Sequence, residues 1–513
     1  MQRHSPPSFL SSIVLPLSVP LRKQSAPTCG VKVLASIVAV VLTVASPVTA
    51  EDWPQFRGVN ASGISTSKSL PSEFSFEQQV AWKAKVGDGI GCPVIADGRV
   101  YTTAMTGDKE FSVICFELAN GQEVWRHAYP TGDLPRITPP NSHASSTPAL
   151  DDQRVYVYFS TIGLIALDQK TGEEAWVYQM RTPAYLMDWG AGSSPIYHDG
   201  RVIFCLDDDL APFLLALDAE KGTVCWQTPR DEMLAGYAVP VICEANGQVD
   251  IVVSGTGKLI GYDPETGKPR WNCNSLLRTM MTSPIVHGDM IYLAVQSYGD
   301  SSRTLKYALL EWLDSNQDGK LARDETPKEF WKRFDESDLN KDALIDEKEM
   351  DTAFQHKENQ AGGGNIVQAV RGGGQGNVTK THLIWNRDTT APSNLSSPLY
   401  SDGRIYVVKR GGLAACFDAK TGETVWEKKR IQNLGDYYAS PIAADGKIYI
   451  AGRNGFVVVL KDSAEFEVLA KNDLAEEILA TPAVADGKIV IRTRESVYCL
   501  SSDAAPVENT AKK

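Results

Sequence analysis

Two stretches of the chain, residues 314–325 and 338–349, carry oxygen-bearing side chains at regular spacing. In a twelve-residue loop of this kind, positions 1, 3, 5 and 12 supply side-chain oxygens and position 7 supplies a backbone carbonyl. A glycine at position 6 makes the sharp turn that lets these groups converge. The chemistry that this pattern predicts is the binding of a hard cation by oxygen atoms.

The first loop satisfies every one of these positions. Its predicted ligands are four side chains and one carbonyl, those of Asp314, Asn316, Asp318, Glu325 and Lys320 respectively. Gly319 stands at the turn, and Ala322 at position nine implies a water ligand there. Leu321 is the apolar residue that can pair with a second loop. Glu325 is expected to bind through both carboxylate oxygens.

The second loop supplies the same set with one departure. Its predicted ligands are five side chains and one carbonyl, those of Asp338, Asn340, Asp342, Asp346, Glu349 and Leu344 respectively. Ala343 stands where glycine is expected. Placing a Cβ in that turn costs on the order of 1 kcal/mol, so we expect weaker binding at this loop.

The two loops together indicate an EF-hand pair with two Ca²⁺ sites. A short helix carrying Phe330, Trp331 and Phe334 is predicted to pack the loops together. The alternative is an acidic helix hairpin on the surface that binds no metal, and two complete loops in tandem favour calcium. Extracellular sites of this kind bind at about 10⁻⁴–10⁻³ M, which suits a structural role.

The acidic loops interrupt a sequence repeat that runs along most of the chain. Eight prolines, each preceded by a small residue, open predicted strands: Pro93, Pro148, Pro195, Pro240, Pro284, Pro398, Pro441 and Pro482. Turns such as Asp97-Gly98 follow, which is a strong hairpin signal. The spacing is 41–55 residues apart from one gap of 114, and one propeller blade needs about 40–45. The sequence therefore predicts an all-β fold, an eight-bladed β-propeller whose fifth blade carries the insertion.

A second pattern recurs within the units, with glycine four and tryptophan eight residues after an acidic residue. It begins at Asp168, Asp218, Asp263 and Asp418, with a weaker copy at Glu117. The acid is expected to cap a turn, the glycine to adopt positive φ, and the tryptophan to fill the space between sheets. This pattern resembles the quinoprotein-type propeller repeat. With its opening sequence DWPQFRG at residues 52–58, the chain is similar to the secreted quinoprotein-like propellers of planctomycete-type bacteria.

The ends of the repeat predict how the ring closes. The last unit ends without its tryptophan strand, and an orphan strand precedes the first unit at residues 80–83. Donating that strand to the last blade removes the open sheet edges. The predicted organisation is an N-terminal extension with a signal peptide (1–50), blades one to five in part (51–302), the EF-hand pair (303–357), the remaining blades (358–502) and a disordered tail (503–513).

The N-terminal fifty residues predict export. A short apolar run at residues 33–44 follows Lys32 and ends in the small-residue site Val48-Thr49-Ala50, as in a signal peptide. The run is too short to favour a membrane span. Its removal leaves 47 basic and 63 acidic side chains, a net charge of −16. We therefore expect a periplasmic or extracellular protein that binds no nucleic acid.

The resemblance extends to the propeller scaffold and not to its quinone cofactor. Enzymes of the family carry a vicinal disulfide against the PQQ cofactor, and many carry haem attachment motifs, whereas no two cysteines are adjacent here. We therefore expect the scaffold without PQQ. Most cysteines are interpreted as small buried residues, although some could pair. The acidic run at residues 207–209 is interpreted as a solvated turn rather than a metal site.

Loops that lead into the innermost strands line one mouth of a propeller channel, where ligands bind in such folds. The candidate pocket residues there are His143, Trp189, Tyr237, Arg278, Asn394 and Asp436. The favoured hypothesis is a calcium-stabilised, non-enzymatic scaffold with an unidentified protein partner. It is comparable with the propeller lipoprotein of the outer-membrane protein assembly machinery. The alternative is a binder or enzyme acting on a small polar ligand, with a PQQ-dependent dehydrogenase third. The oligomeric state stays open.

Overall fold

The computed structural model describes residues 51–504 except 108, 186–187, 232, 234–235, 275–280, 298–312, 327, 347, 351–363, 390–394, 410 and 433. The predicted signal peptide and most of the predicted C-terminal tail lie outside these residues. So do the expected boundaries of the insertion, near residues 302 and 357. The folded unit that follows residue 48 is therefore described from residue 51 onward.

Eight sheets form the blades, confirming the predicted eight-bladed propeller; seven have four antiparallel strands, and the sheet of blade four has a fifth strand. The chain begins with a closing strand and then builds blades one to four: β1 (Val80–Lys85), β2 (Val94–Ala96), β3 (Arg99–Met105), β4 (Glu110–Glu117), β5 (Glu123–Pro130), β6 (Ala149–Leu150), β7 (Arg154–Phe159), β8 (Gly163–Asp168), β9 (Glu174–Gln179), β10 (Ile196–His198), β11 (Arg201–Leu206), β12 (Phe213–Asp218), β13 (Val224–Pro229), β14 (Val241–Ala245), β15 (Gln248–Gly255), β16 (Lys258–Tyr262) and β17 (Pro269–Cys273).

The second half contains blades five to eight and the insertion. Its strands are β18 (Ile285–His287), β19 (Met290–Ser297), β20 (Leu321–Ala322), β21 (Leu344–Ile345), β22 (Gly364–Arg371), β23 (Gly376–Asn377), β24 (Leu383–Asp388), β25 (Leu399–Ser401), β26 (Arg404–Lys409), β27 (Leu413–Asp418), β28 (Thr424–Arg430), β29 (Ile442–Ala444), β30 (Lys447–Ala451), β31 (Phe456–Lys461), β32 (Val468–Asp473), β33 (Ala483–Ala485), β34 (Lys488–Arg492) and β35 (Ser496–Ser501). Among its described residues, the α-helices with defined bounds are α1 (Trp331–Ser337) and α2 (Thr379–His382). Short 3₁₀ turns lie at Val59–Ala61, Arg323–Glu325 and Lys328–Phe330.

The turn between the first two strands of each blade follows from its sequence. In blade one, Asp97 and Gly98 both have positive φ, 49° and 69°, and they join β2 to β3. A two-residue turn with positive φ at both positions matches the right-handed twist of the strands that it connects. The Asp-Gly pairs therefore fix both the hairpin and its register.

The acidic turn and its glycine contact a tryptophan of the preceding blade at five blade junctions, those of Trp82, Trp125, Trp176, Trp226 and Trp385. The Asp168 carboxylate accepts hydrogen bonds from the backbone N–H groups of Lys170 and Thr171, each at 2.8 Å. The turn places Gly172 (φ 73°) against the indole of Trp125 from the preceding blade, where a Cβ would lie 2.5 Å from a ring atom. The predicted roles of these three residue types are confirmed.

Blade four departs from this pattern. The indole nitrogen of Trp271 donates to the Asp250 carboxylate in its own blade at 2.8 Å. The next blade offers no matching turn, because the loop after β22 instead places β23 beside β17 as a fifth, parallel strand. Trp271 is nevertheless buried between the two sheets, at 1% exposure.

The ring closes as predicted, because β1 pairs with β35 and completes the eighth sheet in the order β1-β35-β34-β33. The eight cysteines in the described chain are free, and all are buried except Cys225. Their interpretation as small core residues is confirmed for the seven buried ones. None of the helices in the described residues combines the length and apolar character needed to cross a membrane.

Candidate metal-binding loops and channel mouth

The first acidic loop closes around its first and last carboxylates. Asp314 accepts a hydrogen bond from the backbone N–H of Gly319 at 2.9 Å, where φ is 79°. Glu325 accepts from the backbone N–H of Ser315 at 3.0 Å and of Ala322 at 2.8 Å. The hydrogen bond from Ala322 is the main reason that the pKa of Glu325 lies below its usual value. A carboxylate held in its charged form at position 12 is suited to a cation.

The middle of the loop is held by its own predicted ligands. The Asn316 side chain accepts from the backbone N–H of Asp318 at 2.8 Å, and the Asp318 carboxylate accepts from that of Lys320 at 2.9 Å. These contacts turn oxygens of both side chains toward the loop interior. These hydrogen bonds are compatible with the predicted metal-binding loop, whose calcium binding stays a prediction.

The second loop gathers three carboxylates. Ligand atoms of Asp338, Asp342 and Glu349 lie within 4.8 Å of one another. Asp338 accepts from the backbone N–H of Ala343 at 3.0 Å, and Glu349 from that of Asp346 at 3.1 Å. Ala343 has φ of 65°, the left-handed conformation that the sequence analysis expected to be costly there. The departure from glycine therefore places strain at this turn.

The other predicted ligands of the second loop occupy matching places. The Asn340 side chain accepts from the backbone N–H of Asp342 at 2.8 Å, and the backbone N–H of Leu344 donates to the Asp342 carboxylate at 3.0 Å. The two loops are joined by pairing of β20 with β21, in which Leu321 faces Ile345. Leu321 thus pairs with the second loop as its position predicts.

A small apolar core supports the paired loops. Phe330, Phe334 and Met350 are buried with Leu321 and Ile345. Leu210, from the loop between β11 and β12 of blade three, packs against the same cluster. The insertion connects β19 to β22 of blade five, and its core packs against the β11–β12 loop of blade three. It therefore covers the face of the propeller from which these two connections emerge.

Polar contacts fix the insertion to blade three. Lys332 pairs with Asp231 at 2.7 Å. The Arg333 guanidinium donates to the carbonyl oxygens of Asp209, at 3.5 Å, and of Asp231. Burial lowers the pKa of Arg333, and the neighbouring aspartates oppose that shift. Because Lys332 and Arg333 belong to α1, these contacts orient the helix that joins the two acidic loops.

The interpretation of residues 207–209 as a solvated turn is wrong. Asp207 is 2% exposed and binds Arg230 through both oxygens, at 2.7 and 2.8 Å. Asp208 is fully buried and binds Arg181 in the same way, at 2.6 and 2.7 Å. Buried carboxylates require such partners. The arginines lie more than 20 residues away along the chain, so the acidic run alone carries no signal of its burial.

The four candidate pocket residues that the structure describes do not line one pocket. His143 lines a cleft of about 160 Å³ between the loops that enter blades two and three, with Arg136, Tyr185 and Asp188. Burial lowers the pKa of His143, so its imidazole favours the neutral form. The carbonyl of Trp189 accepts a hydrogen bond from Asn141 in the same region at 2.6 Å, which is a loop-forming contact.

The other candidates lie elsewhere. Tyr237 lines the central channel and stacks on Tyr185, with ring centroids 5.0 Å apart. Asp436 lies in an acidic cleft of about 470 Å³ with Arg453, Glu476 and Glu477. Arg278 and Asn394 are outside the described residues.

The central channel lies below the mouth that the sequence predicts, and of the candidate residues in the described chain Tyr237 lines it. It encloses about 140 Å³, with Phe56 as its floor. The upper ring consists of the residue three before each blade's proline: Ile90, Ser145, Gly192, Tyr237, Met281, Leu395, Tyr438 and Leu479. The lower ring consists of the residue directly before each proline: Cys92, Thr147, Ser194, Val239, Ser283, Ser397, Ser440 and Thr481.

The lower ring is a nearly continuous circle of hydrogen bonds. Each member except Ser194 donates its backbone N–H to the side chain of its counterpart in the next blade. The observed pairs are Cys92–Thr147 (3.0 Å), Thr147–Ser194 (2.9 Å), Val239–Ser283 (2.9 Å), Ser283–Ser397 (3.0 Å), Ser397–Ser440 (3.0 Å), Ser440–Thr481 (2.9 Å) and Thr481–Cys92 (3.1 Å). The Ser194–Val239 link is missing because valine has no acceptor. The small residues before proline thus have a role that their repetition could have indicated.

The volume enclosed by the described channel residues is small for PQQ. Pockets that bury cofactor-sized ligands are about 300–1,000 Å³, more than twice the volume enclosed by the described channel residues. The adjacent cysteines that the quinoprotein enzymes place against the cofactor are missing from the sequence. That the protein works without PQQ remains a prediction.

Comparison with known proteins agrees with the architecture. The family described as outer membrane protein assembly factor BamB matches residues 75–233, 211–308 and 317–435. A quinohemoprotein alcohol dehydrogenase, ADH IIB of Pseudomonas putida, is 30% identical over 186 residues, 34% of this chain and 26% of the relative. Outer membrane protein assembly factor BamB of Vibrio cholerae is 22% identical over 260 residues, 42% of this chain and 65% of the relative.

Comparison with solved structures also supports the propeller fold. The crystal structure of BamB from Moraxella catarrhalis superposes with a TM-score of 0.52 at 14% identity, covering 83% of this chain and 99% of that one. At this identity the likeness concerns the fold alone. The chain spans less than two thirds of the length of either curated relative.

Proposed function

The chain belongs to the family described as outer membrane protein assembly factor BamB, and on that premise we propose that it is an exported, calcium-dependent, non-enzymatic scaffold for a protein partner. In this proposal, the acidic insertion supplies the calcium dependence, and the propeller supplies the scaffold. Two Ca²⁺ ions would bind in the paired loops, at Asp314–Glu325 and at Asp338–Glu349. Each would be held by side-chain oxygens and one backbone carbonyl.

The observation that carries the proposal is the docking of the insertion on blade three. Leu210 enters the apolar core of the insertion, and Arg333 binds carbonyl oxygens of Asp209 and Asp231. Calcium bound in the loops would hold α1 and the two loops in one geometry. The insertion would then present a fixed surface over the face where the entry loops emerge, with the exposed side chain of Leu339 (61%) on it.

Export and a protein partner are parts of the same proposal. The sequence pattern of residues 1–50 supports a signal peptide, and the mature charge of −16 disfavours nucleic acid and anionic lipid. One relative is named an outer membrane protein assembly factor, which favours a partner that is itself a protein. Loops with an Asp-rich ligand set suit the higher calcium concentrations outside the cytoplasm.

Affinity capture tests the scaffold. The mature protein would be immobilised and exposed to cell-envelope extract with calcium or with EGTA. A matched series would contain wild type, the double variant Glu325→Gln/Glu349→Gln, and the control Glu123→Gln on the exposed strand β5. We expect a discrete partner that is retained by wild type and the control in calcium and lost with EGTA and with the double variant. If the captured proteins are the same in EGTA and with the double variant as with wild type in calcium, the proposal is contradicted.

A small-ligand binder at the channel mouth is the second candidate. The cleft around His143 favours it, since it combines Ser142, Ser145 and Tyr185 with a partly buried imidazole. A thermal-shift screen of small polar compounds, with and without calcium and PQQ, separates the candidates. A saturable shift that depends on His143 would replace the scaffold proposal, and a saturable shift with PQQ would restore the dehydrogenase alternative.

A further inference from the structure

A buried cation lies beside the floor of the central channel. The Arg57 side chain has no exposed surface, and its Nη2 donates to the carbonyl oxygen of Pro398 at 2.6 Å. Its Nε and Nη1 have no hydrogen-bond partner. Burial lowers the pKa of Arg57 to about 10, so the guanidinium still carries its charge at neutral pH. Within the described chain, no carboxylate pairs with that charge.

Arg57 is adjacent to the lower ring. Phe56, the preceding residue, is the floor of the channel. Pro398, which accepts from Arg57, follows the ring residue Ser397. The Cys92 thiol, another ring member, is an electrostatic neighbour of the guanidinium. The positive charge therefore lies just behind the ring, in surroundings of low polarity where charges act strongly.

The ring itself presents hydrogen-bond donors. Six of its members have hydroxyl groups: Thr147, Ser194, Ser283, Ser397, Ser440 and Thr481. Each hydroxyl oxygen accepts a backbone N–H from the preceding ring member. The hydroxyls of Thr147 and Thr481 also hydrogen-bond the Cys92 thiol. Within the described chain, the O–H protons of the other four, Ser194, Ser283, Ser397 and Ser440, have no acceptor. A hydroxyl whose oxygen already accepts is free to donate. Four hydroxyl donors without an acceptor thus surround one small space.

We propose that the central channel binds a small anion, no larger than phosphate, through the ring hydroxyls and the charge of Arg57. Donors that converge beside an unpaired guanidinium complement negative charge and repel a cation. The enclosed 140 Å³ accommodates about four or five water-sized groups at roughly 30 Å³ each, which matches a halide or a tetrahedral oxyanion. This site is separate from the acidic loops and goes beyond the scaffold proposal.

Bromide is the probe for the test, with the mature full chain in saturating calcium. Bromide replaces gluconate at constant ionic strength, because gluconate is too large for the channel. We expect the midpoint of thermal unfolding to rise saturably, by about 2 °C at roughly thirty times the Kd. Arg57→Met should abolish the rise, and Arg57→Lys, which keeps the charge, should retain it at lower affinity. A rise that is linear in bromide, or that survives in Arg57→Met, overturns the site.

Anomalous diffraction keeps the test independent of any variant. In wild-type crystals soaked in bromide, we expect an anomalous peak inside the lower ring, within hydrogen-bond distance of at least two hydroxyls. If Arg57→Met does not fold, this measurement decides the question. Crystals without a peak in the channel would overturn the proposal.

Discussion

The indole nitrogen of Trp82 donates to the carbonyl oxygen of Leu118 across 2.9 Å, which joins the closing strand β1 to blade one. The same indole lies against Gly121, where a Cβ would come within 2.5 Å of a ring atom. Trp82 therefore completes between blades eight and one the contact that Trp125, Trp176 and Trp226 make between successive blades. A tryptophan near the beginning of the folded chain thus fills the junction between the last blade and the first.

Trp82→Ala should destabilise the propeller by about 3–5 kcal/mol, because a buried indole and its hydrogen bond are lost together. It should also expose residues 51–85 to protease. Trp176→Ala is the matched control, since Trp176 makes the same contact within the ring. We expect the control to lower the free energy of unfolding to a similar extent without early cleavage of the N-terminal segment. Equal cleavage in both variants would contradict closure by β1.

The buried pair of Asp207 and Arg230 should behave as a unit. Asp207→Ala leaves a fully buried guanidinium without its carboxylate, so we expect a loss of about 3–5 kcal/mol in unfolding free energy. The double variant Asp207→Leu/Arg230→Met removes both charges and should lose clearly less. Urea unfolding of the single and double variants measures the difference. Additive losses would show that the two charges are independent.

The hydrogen-bond ring predicts opposite effects for two exchanges of similar shape. Thr481→Val deprives the Ser440 N–H of its acceptor and should cost about 1–3 kcal/mol. Val239→Thr supplies the missing acceptor for Ser194 and should gain about 1 kcal/mol. Chemical denaturation of the two variants checks both signs. A gain from Thr481→Val would be incompatible with the ring as a source of stability.

Glu477 gives the fold an acid-sensitive contact. Burial alone would raise its pKa, but hydrogen bonds from Arg494 and Arg453 bring the pKa below the usual 4.5. The contribution of Glu477 is thus fully present above its unfolded-state pKa and is lost as the pH falls through the lower folded value. Since the group is partly exposed, we expect less than about 1 kcal/mol.

The comparison of wild type with Glu477→Gln tests this assignment. The difference in unfolding free energy should be constant between pH 7 and 5 and should shrink below pH 4.5. The exposed Glu495→Gln serves as the control and should show no such trend. A Glu477→Gln difference that stays constant down to pH 3 would contradict the assignment.

Repetition made the propeller predictable from sequence, because the same turn and tryptophan recur at fixed spacing. Closure by β1 followed from two unmatched strands. The burial of Asp207 could not be inferred, since its partner Arg230 is set by the path of the chain after blade three. Arg57 was noted only as part of an opening motif, because the channel floor exists only once eight blades enclose it.

The turn geometry of the acidic loops was predictable, since the predicted ligands of each loop lie within one local segment; calcium binding by them stays a prediction. Their docking was not predictable, because Leu210 and Asp231 come from a blade about 100 residues earlier in the chain. The candidate pocket was predicted from loop position alone. Among its described residues, His143, Tyr237 and Asp436 line three different cavities, because loop position does not determine which loops pack together.

Calcium titration by calorimetry, on the mature wild-type protein and three variants, tests the central claim most directly. We predict two sites in wild type, one each in Glu325→Gln and Glu349→Gln, and a second site that is about fivefold tighter in Ala343→Gly. The last gain reflects relief of about 1 kcal/mol at a residue with φ of 65°. Absence of saturable calcium binding in wild type, or binding unchanged by both glutamine variants, would contradict the account.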